Sequence, residues 1–202
     1  MADEKETPLA SARTQELPAL GTLIQNDDPK FVAEQQRIEE LIERDVPLND
    51  ILSELVLLIE AQSPEMLCSI ILLSDDGNHV RHAVAPSLAQ DYVKAIDGSP
   101  IGPKHGSCGT AMFRGKPVIV NDIATDPLWD DYREYARMID MAACWSTPIL
   151  SSKGKVLGSF AMYYREPRGP KPEEQHLTDV ATKLAARAIE HTVARERAAR
   201  QA

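Results

Sequence analysis

Hydrophobic positions along this chain change period more than once, and the changes separate helical ends from a strand-rich middle. Asp28 followed by Pro29 predicts a helix start, a capping carboxylate before a proline at the first helical position. Phe31, Ile38, Leu41 and Ile42 then fall to one side, with Glu34, Glu39, Glu40 and Glu43 elsewhere, until Pro47 interrupts the pattern. A second helical stretch sets Leu48, Ile51, Leu52, Leu55, Val56 and Ile59 at three- and four-residue spacing. From residue 66 the pattern is that of strands. Met66 to Leu73 is an apolar run closed by Asp75-Asp76-Gly77, a hairpin signal with His79 to Ala85 as the returning strand. A short helix carries Leu88, Tyr92 and Ile96. It is followed by a Gly/Pro-rich loop, a small helical turn from Cys108 to Phe113 and a strand from Pro117 to Val120. Thr125-Asp126-Pro127 predicts a capped helix with Leu128, Tyr132, Tyr135, Ala136 and Ile139 facing inward. Two more strands, Ala143 to Leu150 and Val156 to Tyr164, precede a long closing helix from Pro172. That helix has no internal Gly or Pro and carries Leu177, Val180, Ala181, Leu184, Ala188 and Ile189 on one stripe.

Hairpin-linked strand pairs, rather than strict strand–helix alternation, predict an α+β fold around a mostly antiparallel sheet. Composition sharpens this. The chain has 202 residues and a formal net charge of -9, which argues against an electrostatic grip on nucleic acid or anionic lipid. Residues 1–60 hold 14 Asp/Glu and 5 Lys/Arg, whereas residues 61–202 hold 17 of each, so the acidity belongs to the N-terminal part alone. Three cysteines fit a reducing compartment and are too few for a disulfide framework. The start is polar and acidic, and no apolar run is long enough to span a bilayer. A cytoplasmic location with no nucleic-acid or membrane partner is therefore expected.

Several side chains are candidates for chemistry. Ser107 can cap the short helix at Cys108, which would set the thiol at a helix N-terminus, where unpaired N–H groups favour a thiolate; His105 and Lys104 are close enough in sequence to add to that. The same end can hold an anionic ligand. Equally, Cys108 can be a small apolar plug under the sheet. Cys144 and Trp145 are neighbours on a strand, so they face opposite sides; which side carries a pocket is open. Trp129, Tyr132 and Tyr135 can wall a site or simply pack their helix. Asp122 can accept from a ligand or cap the turn after its strand. The five histidines have no metal-ligand spacing beside a cysteine pair, with His105 and Cys108 a half-site at most. No catalytic residue and no metal site are predicted.

Three stretches together resemble the GAF domain, the small-molecule sensor module of many bacterial signalling proteins. They are Gly106-Ser107-Cys108-Gly109-Thr110-Ala111, Pro117-Val118-Ile119-Val120-Asn121-Asp122-Ile123 and Cys144-Trp145-Ser146-Thr147-Pro148-Ile149, followed by Val156-Leu157-Gly158-Ser159-Phe160-Ala161 and Tyr163-Tyr164. The likeness is greatest to modules found beside histidine kinase and diguanylate cyclase domains. It covers roughly residues 47–192 as the GAF domain; outside it the sequence reads as a mobile tail over 1–27, an acidic helix over 28–46 and a helix end over 193–202. The implied fold has a five- or six-stranded sheet, with the terminal helices packed on one face and commonly forming a dimer. A pocket lies on the other face, roofed by residues 86–140. Ligand-binding candidates are then Cys108, His105, Ser107, Asp122, Trp129, Tyr132, Cys144 and Trp145, for a small molecule and any cofactor that the sequence leaves unnamed.

The expected function is a non-enzymatic sensor acting as a homodimer. Because the closing helix ends in Arg/Glu/Ala-rich sequence with no output domain, the signal is expected to pass to a separate protein, unless the chain is a fragment of a longer sensor. Two alternatives stand beside this. One is a thiol-based enzyme or sensor using Cys108, similar to the GAF-fold free methionine sulfoxide reductases, whose Gly-x-Cys-Gly-Thr-Ala stretch Gly106–Ala111 matches. Those enzymes carry a nucleophile in a His-Ile-Ala-Cys-Asp stretch that has no counterpart at Cys144. The other is a dimerising scaffold that binds no ligand. A covalently bound bilin is not expected, because residues 127–142 contain no cysteine.

Overall fold

In a computed structural model, which describes residues 28–201, Asp28 fills the capping role its position predicts. Its carboxylate accepts the Lys30 N–H at 3.0 Å, Pro29 stands first in the helix, and α1 runs Pro29–Glu43. The tail expected over residues 1–27 lies outside the described residues. The chain turns through Asp45, at φ 57°, and Pro47 precedes α2, Leu48–Glu60. Then come β1 (Leu67–Leu73), β2 (Val80–Val84), α3 (Gln90–Ile96), α4 (Gly106–Arg114) and β3 (Val118–Val120). A single 3₁₀ turn, Pro127–Trp129, and α5, Arg133–Met138, lead to β4 (Ala143–Leu150), β5 (Val156–Tyr164) and α6 (Pro172–Gln201).

The five strands form one antiparallel sheet in the order β2-β1-β5-β4-β3, so β1, β5 and β4 are central and the edges are short. Alternation along the central strands divides their side chains between two cores. On one face Ile70, Trp145, Phe160 and Met162 pack against α1, α2 and α6. The apolar stripes read from the sequence supply the other half of this layer: Phe31, Ile38 and Ile42 from α1, Leu52, Leu55 and Ile59 from α2, and Leu177, Ala181 and Leu184 from α6 are all buried there. Each of the Phe, Ile and Leu side chains contributes about 1.5–3 kcal/mol by leaving water. Arg187 bonds Glu39 at 2.5 Å and Arg195 meets Asp45 at 3.1 Å, which ties α6 to α1 along its exposed side.

On the opposite face α3, α4, the 3₁₀ turn and α5 cover Cys144, Ala161 and Tyr163. The helix expected across residues 125–139 is split here. Asp126 accepts the Leu128 N–H at 2.8 Å as a cap, but the turn it starts stops at Trp129, whose indole is drawn inward, and α5 begins four residues later. The layering expected from the sequence, terminal helices on one face and a roof of short helices on the other, is the layering observed.

Candidate functional site

α4 opens at Gly106 with φ +58°, a conformation that costs a glycine little because it has no Cβ. His105 occupies the cap position and makes no side-chain capping bond, so Ser107 is not the cap its sequence position suggested. Ser107 is fully buried as the second residue of α4. Its hydroxyl donates to the Cys144 carbonyl at 3.1 Å and accepts the Trp129 Nε1–H at 3.0 Å. One side chain thereby links α4, β4 and the roof.

Beneath α4 the strand register builds a polar floor from small residues. Ser146 on β4, Ala161 on β5 and Ser69 on β1 stand in one row across the sheet. Cys144 and Tyr163, paired across β4 and β5, flank that row on one side, and Ser159 flanks it on the other. The Cys108 thiol reaches down to this floor, 3.8 Å from the Tyr163 hydroxyl, which also meets Ser69 Oγ at 2.9 Å and Tyr92 Oη at 3.4 Å. The Cys144 thiol, then Ser146, Tyr163 and Ser159, hold the Cys108 pKa below the usual thiol value against the opposing effect of burial. Burial and the neighbouring Cys108 push Cys144 the other way, since a second negative charge there would be neither solvated nor tolerated. Burial likewise keeps the Tyr92 and Tyr163 hydroxyls un-ionised well above the usual phenol range. Ser146 Oγ and Ser159 Oγ are fully buried and have no well-aligned hydrogen-bond partner. His105 Nδ1 is also unpartnered, its ring seated on Gly102, where an added Cβ would stand 2.5 Å from that nitrogen.

Above the floor is a cavity of ≈ 50 Å³ walled by Ile71, Tyr92, His105, Trp129, Tyr132 and Tyr135, with Cys108 half-buried at its edge. That is room for about four waters. The rings of Tyr132 and Tyr135 lie 5.9 Å apart, and His105 lies 5.9 Å from Tyr132. No Lys, Arg, Asp or Glu is among the lining residues. Lys104, expected near the thiol, instead bonds Asp130 at 2.6 Å, and Arg133 bonds the same carboxylate at 2.8 Å. A wider groove of ≈ 750 Å³ beside β2, lined by Asn49, Arg81, Gln90 and Lys94 among others, is open to solvent and includes none of the candidate residues.

The fold therefore gathers Cys108, His105, Ser107, Trp129 and Tyr132 around one cavity, buries Cys144 in the sheet on that side, and leaves out two candidates. Asp122 caps its own turn, accepting from the Ala124 N–H at 3.0 Å and the Thr125 hydroxyl at 2.9 Å. Trp145 is on the far face of the sheet, because its neighbour Cys144 takes the cavity side. There it donates Nε1–H to the Arg168 carbonyl at 3.1 Å. The Arg168 guanidinium lies over the rings of Trp145 and Tyr164, at 5.2 and 4.2 Å, and bonds Glu174 at 2.9 Å. Glu174, in the first turn of α6, also accepts the Tyr164 hydroxyl at 2.8 Å and the Lys171 N–H at 2.7 Å. The result is a clasp between the sheet and the start of α6. Ser69, Ser146, Ser159 and Tyr163 were not candidates from the sequence. The signal for three of them was the two-residue period: once Cys144 faces the cavity, Ser146 must, and along β5 so must Tyr163 and Ser159 with it.

A family model described as GAF domain matches residues 45–190. The methyl sulfide methyltransferase-associated sensor of Methanosarcina acetivorans is 38% identical over 165 residues, which is 82% of this chain and 16% of that protein's length. Among solved structures, the GAF domain from a phosphoenolpyruvate-protein phosphotransferase of Coxiella burnetii superposes with a TM-score of 0.62 at 20% identity, covering 82% of this chain and 96% of its own. Free methionine-R-sulfoxide reductase from Neisseria meningitidis, in complex with its substrate, gives a TM-score of 0.58 at 15% identity, covering 80% and 89%.

Proposed function

The chain belongs to the GAF domain family, and from that membership we propose that it is a sensing module which holds one small uncharged molecule beneath α4. The observation that carries this is the partly enclosed cavity itself. Its walls are aromatic, with the Ser107 hydroxyl and the Cys108 thiol among them, and the sheet beneath Cys108 holds two buried hydroxyls, Ser146 and Ser159, with unused hydrogen-bonding capacity. A molecule with a flat apolar body and one hydrogen-bonding end uses both surfaces. A zwitterion fits poorly, since its charges would leave water for a lining with no counter-charge. That weighs against turnover of a free amino-acid sulfoxide here; at 15% identity the likeness to the reductase extends to the fold alone.

The signal in this reading is a population shift between two packings of roof and sheet. β4 points Cys144 into the cavity and the adjacent Trp145 into the Arg168 clasp, so a small movement of β4 reaches the first turn of α6 through two successive residues. α1 and α6 then carry the change across a homodimer built on the terminal helices. The output belongs to a separate protein or to further sequence of a longer one. By likeness to the Methanosarcina acetivorans sensor, the process served is one associated with a methyl sulfide methyltransferase. A cytoplasmic location agrees with the acidic sequence and with the finding that no helix among the described residues is long and apolar enough to cross a membrane.

The test uses the position of the two tryptophans, Trp129 in the cavity wall and Trp145 in the clasp. In Trp145→Phe protein, phenol added as a probe is expected to change Trp129 emission saturably. Emission that stays constant to millimolar phenol contradicts the reading.

A further inference from the structure

The floor beneath α4 holds more hydrogen-bond donors than its neutral groups can use. Ser146 Oγ and Ser159 Oγ are 0% exposed and unpartnered, and both flank the spot over Ala161 to which Cys108 descends. The Tyr163 hydroxyl is 3.8 Å from the same sulfur. Two orphan hydroxyls beside a neutral thiol are left as unsatisfied polar groups in the core, which is costly. Directed at a thiolate, they become donors to a buried anion, and the place of Cys108 in the first turn of α4 adds to its stabilisation. A cysteine that serves only as packing needs none of this. Cys68 shows the contrast: it is fully buried in the helix-side core, and burial pushes its thiol pKa up.

We propose that Cys108 is a peroxide-reactive site that takes a small hydroperoxide, hydrogen peroxide itself, with Cys144 as the thiol that resolves it. The thiolate sulfur of Cys108 attacks one peroxide oxygen, the O–O bond breaks, and the departing hydroxide combines with the proton given up by the Cys108 thiol to leave as water. Cys108 is thereby oxidised by two electrons to the sulfenic acid. Cys144 then attacks that sulfur. Its proton leaves with the sulfenic hydroxyl as a second water, and a Cys108–Cys144 disulfide remains. One hydrogen peroxide and two thiols give two waters and one disulfide.

The cavity decides the class of oxidant. Its ≈ 50 Å³, room for about four waters, admits hydrogen peroxide, and no Lys, Arg, Asp or Glu lines it to hold an ionic oxidant. A hydroperoxide larger than the cavity is excluded by size, and a charged disulfide finds no counter-charge there. Cys144 is placed for the second step because it lies on the same floor, diagonal to Ala161 and paired with Tyr163, whose hydroxyl stands 3.8 Å from the Cys108 sulfur. This site does not depend on the ligand-sensing reading, although an occupant of the cavity would shield it.

The experiment uses the reduced full chain, treated with an equimolar amount of hydrogen peroxide, alkylated and mapped by peptide mass. The expected product has lost two hydrogens and contains a cross-linked peptide pair joining Cys108 to Cys144, while Cys68 is recovered as a free thiol. In Cys144→Ala the expected product is Cys108 carrying one added oxygen and reacting with dimedone. Full recovery of all three cysteines as free thiols, or oxidation that begins at Cys68, overturns the proposal. The unmutated protein also gives a second measure that needs no substitution. Iodoacetamide should alkylate Cys108 with a pH midpoint below the ordinary thiol value of about 8.5. A midpoint at or above that value likewise overturns it.

Discussion

Gly158 lies on β5 between Leu72 of β1 and Ile149 of β4, and a Cβ added there would stand 2.3 Å from the Ile71 carbonyl oxygen and 3.1 Å from the Leu72 Cα. Both obstacles are backbone in the middle of the sheet, so neither can swing aside. Gly158→Ala is expected to cost about 3 kcal/mol or more, read as a lowered urea midpoint. Gly77, in the β1–β2 turn at φ +73°, has nothing within 4 Å of such a Cβ and should lose only about 1 kcal/mol when changed to Ala. A similar loss at both positions would contradict the packing described here. The same scale shows what could be read in advance. That Cys144 and Trp145 face opposite sides follows from strand geometry; that Cys144 takes the cavity does not, because a shift of one residue reverses every side chain. The bond from Ser107 to the Cys144 carbonyl joins residues 37 apart and leaves no trace in local sequence.

Elements were legible where their signals were local. Asp28-Pro29, Pro47 and Pro172 marked helix boundaries through capping and the loss of a backbone donor, and the strands followed from apolar runs between turn residues. The roof was not, because distant contacts outweigh its helical pattern: Trp129 is held by Ser107, and Asp130 by Lys104. The clasp at α6 was equally invisible, since it brings together Trp145, Tyr164, Arg168 and Glu174 from a strand, another strand, a loop and a helix. Arg168 is its centre. Arg168→Ala removes two ring contacts and leaves the carboxylate of Glu174, only 9% exposed, without its cation. A loss of about 2–4 kcal/mol is expected, concentrated at the start of α6. Amides in residues 172–180 should exchange at least about tenfold faster than in the unmutated chain, with those of β1 little changed. Uniform acceleration, or none, would mean that Arg168 does not fasten α6.

For the molecule as a whole, the buried phenols set an alkaline limit. Burial first, and neighbouring groups second, raise the pKa of Tyr92, Tyr163 and Tyr164. A raised folded pKa means stability that is complete below the unfolded value of about 10 and is lost as pH rises beyond it. Cys68 and Cys144 act in the same sense from about pH 8.5 upward, whereas the lowered Cys108 thiol has the opposite sign, its contribution growing as pH rises toward that value. The three tyrosines should therefore lower the unfolding free energy between pH 9 and pH 11 by on the order of 4 kcal/mol, about 1.4 from each, with Cys68 and Cys144 adding to the loss. A flat profile from urea titrations at the two pH values would contradict the burial of these hydroxyls. The net charge of -9 plays no part in the cavity, since the acidic surplus belongs to residues 1–60 and no Lys, Arg, Asp or Glu is in the lining. The central claim is that a molecule beneath α4 changes the state of α6. Hydrogen exchange across α6, measured on the full chain with and without saturating phenol as the probe, tests it most directly. Altered protection in residues 172–201 is expected alongside the change in Trp129 emission; saturation at Trp129 with α6 exchange unchanged would contradict it.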